Sequence, residues 1–141
     1  MRLHLDSLLR YAALWISGDP NEFVHSVMSG VRVNTIKDRD GIKMTDAHLR
    51  DVVAEDYPWV KNVYDQTSGF IHFSKKHIAF STMITGAQSG EVQHAIGRED
   101  RFVKDELRIE AVEAMIAISD CIGDYIGWWI LSKSDQSNST E

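Results

Sequence analysis

The chain has 141 residues, 43% of them hydrophobic and 26% charged, with a formal net charge of −6. That length fits one domain with a substantial core. The acidic balance excludes a general nucleic-acid binder held by a broad basic surface. A single cysteine, Cys121, excludes an intrachain disulfide and, set in an apolar helical pattern, reads as a small core residue.

Met1–Ser17 carries charges and has no uninterrupted apolar run, so no secretory signal is expected and the default location is cytoplasmic. The helical pattern starts at Leu3 with no visible cap, as in a piece of a longer gene product or a truncated chain. Leu5, Leu8, Leu9, Ala12 and Ile16 recur at helical spacing, widened by Ala13 and Trp15. Gly18 is a stop. Asp19-Pro20-Asn21-Glu22 then combines an N-cap, a proline at the first helical position and a carboxylate at the capping-box position. The second helix is expected to bury Phe23, Val24, Val27 and Met28 and to end near Gly30.

Val31–Met44 reads as a partly extended connector with a turn at Asp40-Gly41. Arg32, Lys37, Arg39 and Lys43 fall here, but Asp38 and Asp40 interleave with them, so a solvated loop is favoured over a phosphate site. Placing Gly41 at the invariant glycine of a calcium loop puts Ile36 and Ala47 at ligand positions, which excludes that loop. Thr45 caps a third helix with Leu49, Val52 and Val53 inward. Tyr57-Pro58 breaks it and starts a fourth, carrying Trp59, Val60, Val63, Tyr64, Thr67 and Ile71.

The period then changes. Ile78, Phe80, Thr82 and Ile84 alternate, as do Val92, His94 and Ile96, which predicts a β-hairpin with a long loop. The last helix is predicted over Lys104–Ser132, on the order of 40 Å long. Its expected core stripe is Leu107, Ala111, Met115, Ile118, Ile122, Tyr125 or Ile126, and Trp129. Glu113, Asp120 and Asp124 interrupt it as a membrane span. Those two aspartates stand among apolar neighbours and need partners, for which Arg2, Arg10 or His4 are candidates. Trp128 and Trp129 point to different sides, and one of them suits a subunit contact. The polar tail 134–141 is expected to be disordered, leaving residues 1–133 as a single helical domain.

The densest polar chemistry ends the fourth helix. Asp65, Ser68 and His72 fall at i, i+3 and i+7, stacking a carboxylate, a hydroxyl and an imidazole on one face. They can be read as orienting acid, nucleophile and base. No G-x-S-x-G elbow is present, and side chains along one helix rarely converge, so hydrogen-bonded groups at a helix contact are the favoured reading. For a metal, Glu22-x-x-His25 has the di-iron spacing, but its second copy, Glu91-x-x-His94, falls on a predicted strand; His72-x4-His77 misses a single helix face. No metal and no cofactor are expected.

The segment Tyr64-Asp65-Gln66-Thr67-Ser68-Gly69-Phe70-Ile71-His72-Phe73-Ser74 resembles one in a group of uncharacterised bacterial helical proteins. The likeness extends to Arg2-Leu3-His4-Leu5-Asp6 and to Lys37-Asp38-Arg39-Asp40-Gly41. More distantly the chain is similar to HEPN domains, helical bundles of bacterial toxin–antitoxin and phage-defence systems, often dimeric and often metal-independent ribonucleases. Their active pattern is arginine, four to six residues, then histidine. Asp65 and Gln66 occupy that region here, so an arginine would have to come from Arg2 or Arg10. The resemblance implies a helical bundle; with the hairpin read from the alternation, the expected fold is mainly α, a helical bundle with a small β-hairpin inserted before its long last helix. The resemblance also implies a homodimer or a protein partner, and a regulatory role in stress or defence. Two other readings stay open: a ribonuclease with His72 as general acid/base, Ser68 positioning and Arg10 or Arg2 on the phosphate, and a metal-dependent bundle enzyme.

Overall fold

The computed structural model describes residues 1–71, 82–84, 92–94 and 103–138. Among them are five α-helices: α1 Arg2–Ile16, α2 Pro20–Met28, α3 Asp46–Asp56, α4 Trp59–Ile71 and α5 Asp105–Asn138. The fold is a mainly α helical bundle. Two short strands, β1 Thr82–Ile84 and β2 Val92–His94, pair antiparallel with Thr82 opposite His94 and Ile84 opposite Val92. The rest of the segment predicted as a hairpin lies outside the described residues.

α1 is the central element. Leu5, Leu8, Leu9, Ala12 and Ala13 are fully buried, the i, i+3, i+4, i+7, i+8 set of a wide apolar stripe. Against them pack Phe23 of α2, Leu49 and Val53 of α3, Val60 of α4, and Ile118, Cys121 and Tyr125 of α5. Caps set the breaks between these helices. Asp19 Oδ1 accepts from the backbone N–H groups of Asn21 and Glu22 at 2.8 and 3.1 Å. Thr45 Oγ1 accepts from His48 N at 3.2 Å. Gly30, at φ +91°, turns the chain out of α2 in a conformation that suits glycine. Val24 and Met28, expected inside, are exposed, Met28 by 83%. α2 spans only nine residues and covers α1 with little more than Phe23. The connector supplies an unforeseen core residue, Met44, which is fully buried.

α5 departs furthest from expectation. It runs to Asn138, past the predicted end at Ser132, because no glycine or proline stands between Lys133 and Asn138. Among the described residues, its packing is concentrated in its middle. His4 meets Ser119 near the start of α1, and Trp15 meets Trp128 near its end. The two helices therefore run in the same direction, and 15 residues of α1 lie along less than half of the 34 in α5. Leu107 and Met115, expected in the core, keep 39 and 43% of their surface exposed for this reason, whereas of the alternatives Tyr125 and Ile126 it is Tyr125 that is buried. By length and composition alone, Asp105–Ser134 could cross a membrane, its best 18-residue window having a mean hydropathy of 1.3. Asp120 and Asp124 stand within that span, and Asp124 is tied to the bundle through Tyr57.

Candidate functional site

Arg2, Asp6 and Arg10 are spaced by four residues along one face of α1. The fold places Asp46, in the first turn of α3, and Tyr64 and Ser68 of α4 beside them. Arg2 Nη1 donates to Ser68 Oγ at 3.0 Å. Its Nε lies 3.1 Å from Asp6 Oδ1, out of line for a hydrogen bond, and its Nη2 lies 4.0 Å from Asp46 Oδ2. The same guanidinium sits over the Tyr64 ring, 4.0 Å from its centroid, and that of Arg50 approaches the ring at 5.4 Å. Arg10 Nη2 donates to Asp46 Oδ1 at 3.0 Å. One carboxylate thus joins two arginines of α1 to the start of α3.

This arrangement answers part of the Asp65/Ser68/His72 reading. Ser68 Oγ gives its own proton to the Tyr64 carbonyl at 2.7 Å. The group that donates to it is a guanidinium, which cannot act as a base. Asp65 turns outward, its side chain 70% exposed and 3.8 Å from Arg50. The shared helical spacing therefore does not yield a relay between Asp65 and Ser68. His72 lies outside the described residues. Of the two arginines considered for this site, Arg10 is held on Asp46, and Arg2 is the one that reaches Ser68.

Between Arg10, Arg32, Val33, Asn34, Thr45 and Asp46 lies a polar cleft of about 380 Å³. Asp46 in its wall already occupies Arg10. A second, apolar cavity of about 210 Å³ lies between α1 and α5, lined by Tyr11, Leu14, Trp15, Tyr125, Ile126 and Trp129. Trp128 packs inward on Trp15 and Tyr125, at 6.0 and 5.1 Å between centroids, whereas Trp129 lies under Lys133 at 4.7 Å. Among the described residues, no three His, Cys, Asp or Glu side chains gather closely enough to hold a metal.

Asp38 forms a separate buried polar node. Its Oδ2 lies 2.8 Å from His48 Nε2, while Oδ1 accepts from Ile42 N at 2.8 Å and Asp40 N at 3.0 Å. Gly41, at φ +82°, closes this turn. Arg39 fastens it to α1 by donating to the carbonyls of Trp15 and Ile16. Burial pushes the Asp38 carboxyl up, but the hydrogen bonds from Ile42, His48 and Asp40 and the His48 charge outweigh it. The carboxyl is held below its ordinary value. A carboxyl lowered by folding adds stability above the unfolded-state pKa, and that stability is lost as pH falls through the folded-state value. Asp38→Asn should therefore cost about 2 kcal/mol at pH 7, and the gap to the unsubstituted protein should narrow below about pH 4. Urea unfolding of both proteins across pH 3–7 checks this; a gap that widens toward acid contradicts it.

Asp124 is partnered by neither Arg2, Arg10 nor His4. Tyr57 Oη donates to its Oδ2 at 2.6 Å, joining the end of α3 to α5. Arg2 and Arg10 are drawn instead to Asp6 and Asp46, which lie closer on their own side of α1. His4 takes Ser119 at 2.8 Å, and Asp120 stays exposed. The Cys121 thiol is pushed up to about 11, by burial first and by Asp124 and Asp120 after it, which keeps it protonated and unreactive.

Sequence reasoning missed Asp46 and His48 as network members. Their only local signal was the single acid, Asp46, in the first turn after Thr45, which reads equally well as a helix start. Comparison with known protein families, with curated proteins and with solved structures finds no match to this chain.

Proposed function

We propose that the chain is a helical interaction and regulatory module, HEPN-like in general build, that acts through contacts with protein. The observation that carries this reading is the second apolar stripe of α5. Ile109, Val112, Ile116 and Ile130 keep 57–60% of their surface exposed and stand outside the buried core. Large aliphatic side chains exposed in line along one helix are a mark of a contact face. The polar cluster of α1, α3 and α4 fits the same reading. The Ser68 hydroxyl is taken by Arg2 and the Tyr64 carbonyl and the Asp46 carboxylate by Arg10, so they support the bundle rather than offer a nucleophile beside a base. The HEPN-like likeness is the distant one of a helical bundle, and regulation in bacterial stress or defence is the setting it suggests.

The experiment sets purified protein against single-stranded RNA, beside His72→Ala and Ser68→Ala. The interaction module leaves the RNA intact in all three cases. RNA cleavage that disappears with His72→Ala contradicts it and establishes the ribonuclease instead.

A further inference from the structure

The exposed stripe of α5 follows a strict alternation of three and four residues. Ile109, Val112 and Ile116 form its first half, Ser119 and Gly123 its centre, and Ile126 and Ile130 its second half. This is the heptad spacing by which one helix receives another. It covers about 21 residues, roughly 32 Å of helix. All seven positions are exposed and none belongs to the buried core, although Ser119 is bonded to His4 of α1 and Ile126 borders the cavity between α1 and α5, so the stripe runs beside α1 in its second half.

Gly123 supplies an independent observation. A glycine inside a helix costs about 1 kcal/mol relative to alanine. Here a Cβ would meet nothing within 4 Å, and the same holds at Gly127 on the edge of the stripe. The described packing of this chain therefore gives no reason for the missing side chain. A second helix crossing at Gly123 does, since a small residue lets two backbones approach closely.

The charge beside the stripe selects the occupant. Between Asp105 and Asp124 the chain holds six carboxylates and one arginine. Glu106, Glu110, Glu113, Asp120 and Asp124 are all exposed and run along the edge of the stripe away from α1. Among the described residues no lysine or arginine pairs with Glu106, Glu110, Glu113 or Asp120; only Asp105 is engaged, by Arg108. A second copy of α5 laid antiparallel would set two such acidic rails side by side. In a parallel copy only Arg108 would meet a carboxylate across the seam. An anionic membrane surface is repelled by the same rail.

We infer that α5 is the docking site for an amphipathic helix of another protein, with aliphatic residues at heptad spacing and lysines or arginines along one flank. The aliphatic side chains fill the stripe, the basic flank pairs with the rail, and the crossing point lies at Gly123. This inference rests on the interaction-module reading and narrows it to one kind of partner.

The test uses the full chain and three synthetic helical peptides of about three heptads. One has leucine at the seam positions and lysine on the flank, a second has the same seam with glutamate, and a third keeps the lysines but has a serine seam. Fluorescence titration should find the lysine-flanked peptide bound at least about 30-fold more tightly than either of the others. Ile116→Asp should abolish the difference. Gly123→Ala should raise the melting temperature of the isolated protein, through better helix propensity, and yet weaken the peptide by roughly tenfold or more. That pair of opposite signs cannot come from misfolding. Equal binding of the glutamate-flanked peptide overturns the charge assignment. Equal binding of the serine-seam peptide reduces the site to polycation attraction and overturns it as well. Self-association in sedimentation equilibrium that Ile116→Asp removes would make the occupant a second copy. Partition onto phosphatidylcholine vesicles with the same dependence would make it a membrane. Either result overturns the basic-helix assignment while leaving α5 as a contact face.

Discussion

Arg2→Ala is expected to lower the free energy of unfolding by about 3 kcal/mol, the largest effect of any single polar substitution in the described structure. One guanidinium donates to Ser68 and covers the Tyr64 ring, and it also balances the charges of Asp6 and Asp46. Its side chain is only 14% exposed, so these interactions are little screened by solvent. Removing it leaves the Asp6 carboxylate without its nearest cation, while Asp46 keeps Arg10, and this adds to the cost of the broken hydrogen bond and the uncovered ring. Arg2→Lys keeps the charge but not the planar fork that spans three partners, so it should recover less than half of the loss. Denaturant midpoints of the three proteins check both statements. An Arg2→Ala midpoint equal to that of the unsubstituted protein would show that the network contributes nothing.

Ile118→Ala is expected to cost about 3 kcal/mol, by a different mechanism. Ile118 is fully buried and forms, with Cys121 and Tyr125, the part of α5 that reaches the common core. Truncation leaves a cavity that a helix held at only three such points cannot easily close. Ile116→Ala, two residues away on the exposed stripe, should cost less than about 0.5 kcal/mol. The contrast is measurable by thermal or urea unfolding. Equal losses at the two positions would mean that the core face of α5 has been assigned to the wrong side.

The helices were largely legible because their ends are written locally. Asp19-Pro20, Thr45 and Tyr57-Pro58 act within a few residues of themselves, and each break falls where they stand. The interior of α1 was legible for a related reason, since its stripe is unambiguous. α5 was not. It carries two apolar stripes, and hydrophobic spacing alone does not say which one meets α1 or how far along the helix α1 extends. Leu107 and Met115 share the spacing of Ile118 and yet lie beyond the reach of a 15-residue partner. The polar network was illegible for want of local signal. Arg2 and Ser68 are 66 residues apart in sequence, and Arg10 and Asp46 are separated by 36. The helical spacing of Asp65 and Ser68 is real. It does not reveal that one side chain turns to solvent while the other turns under Arg2. Asp38 shows the same limit. Its turn is marked by Asp40-Gly41, but the imidazole that completes the site comes from His48 on the next helix.

The most direct measurement of the interaction-module account is photo-crosslinking in the cells that make this protein. A benzoylphenylalanine in place of Val112 reports on the stripe, and one in place of Lys61, whose side chain is 56% exposed on α4, reports on a surface with no assigned contact. The account predicts a protein adduct of discrete mass from position 112, none from position 61, and loss of the first when Ile116→Asp is added. No adduct from position 112, or the same adducts from both positions, would contradict it.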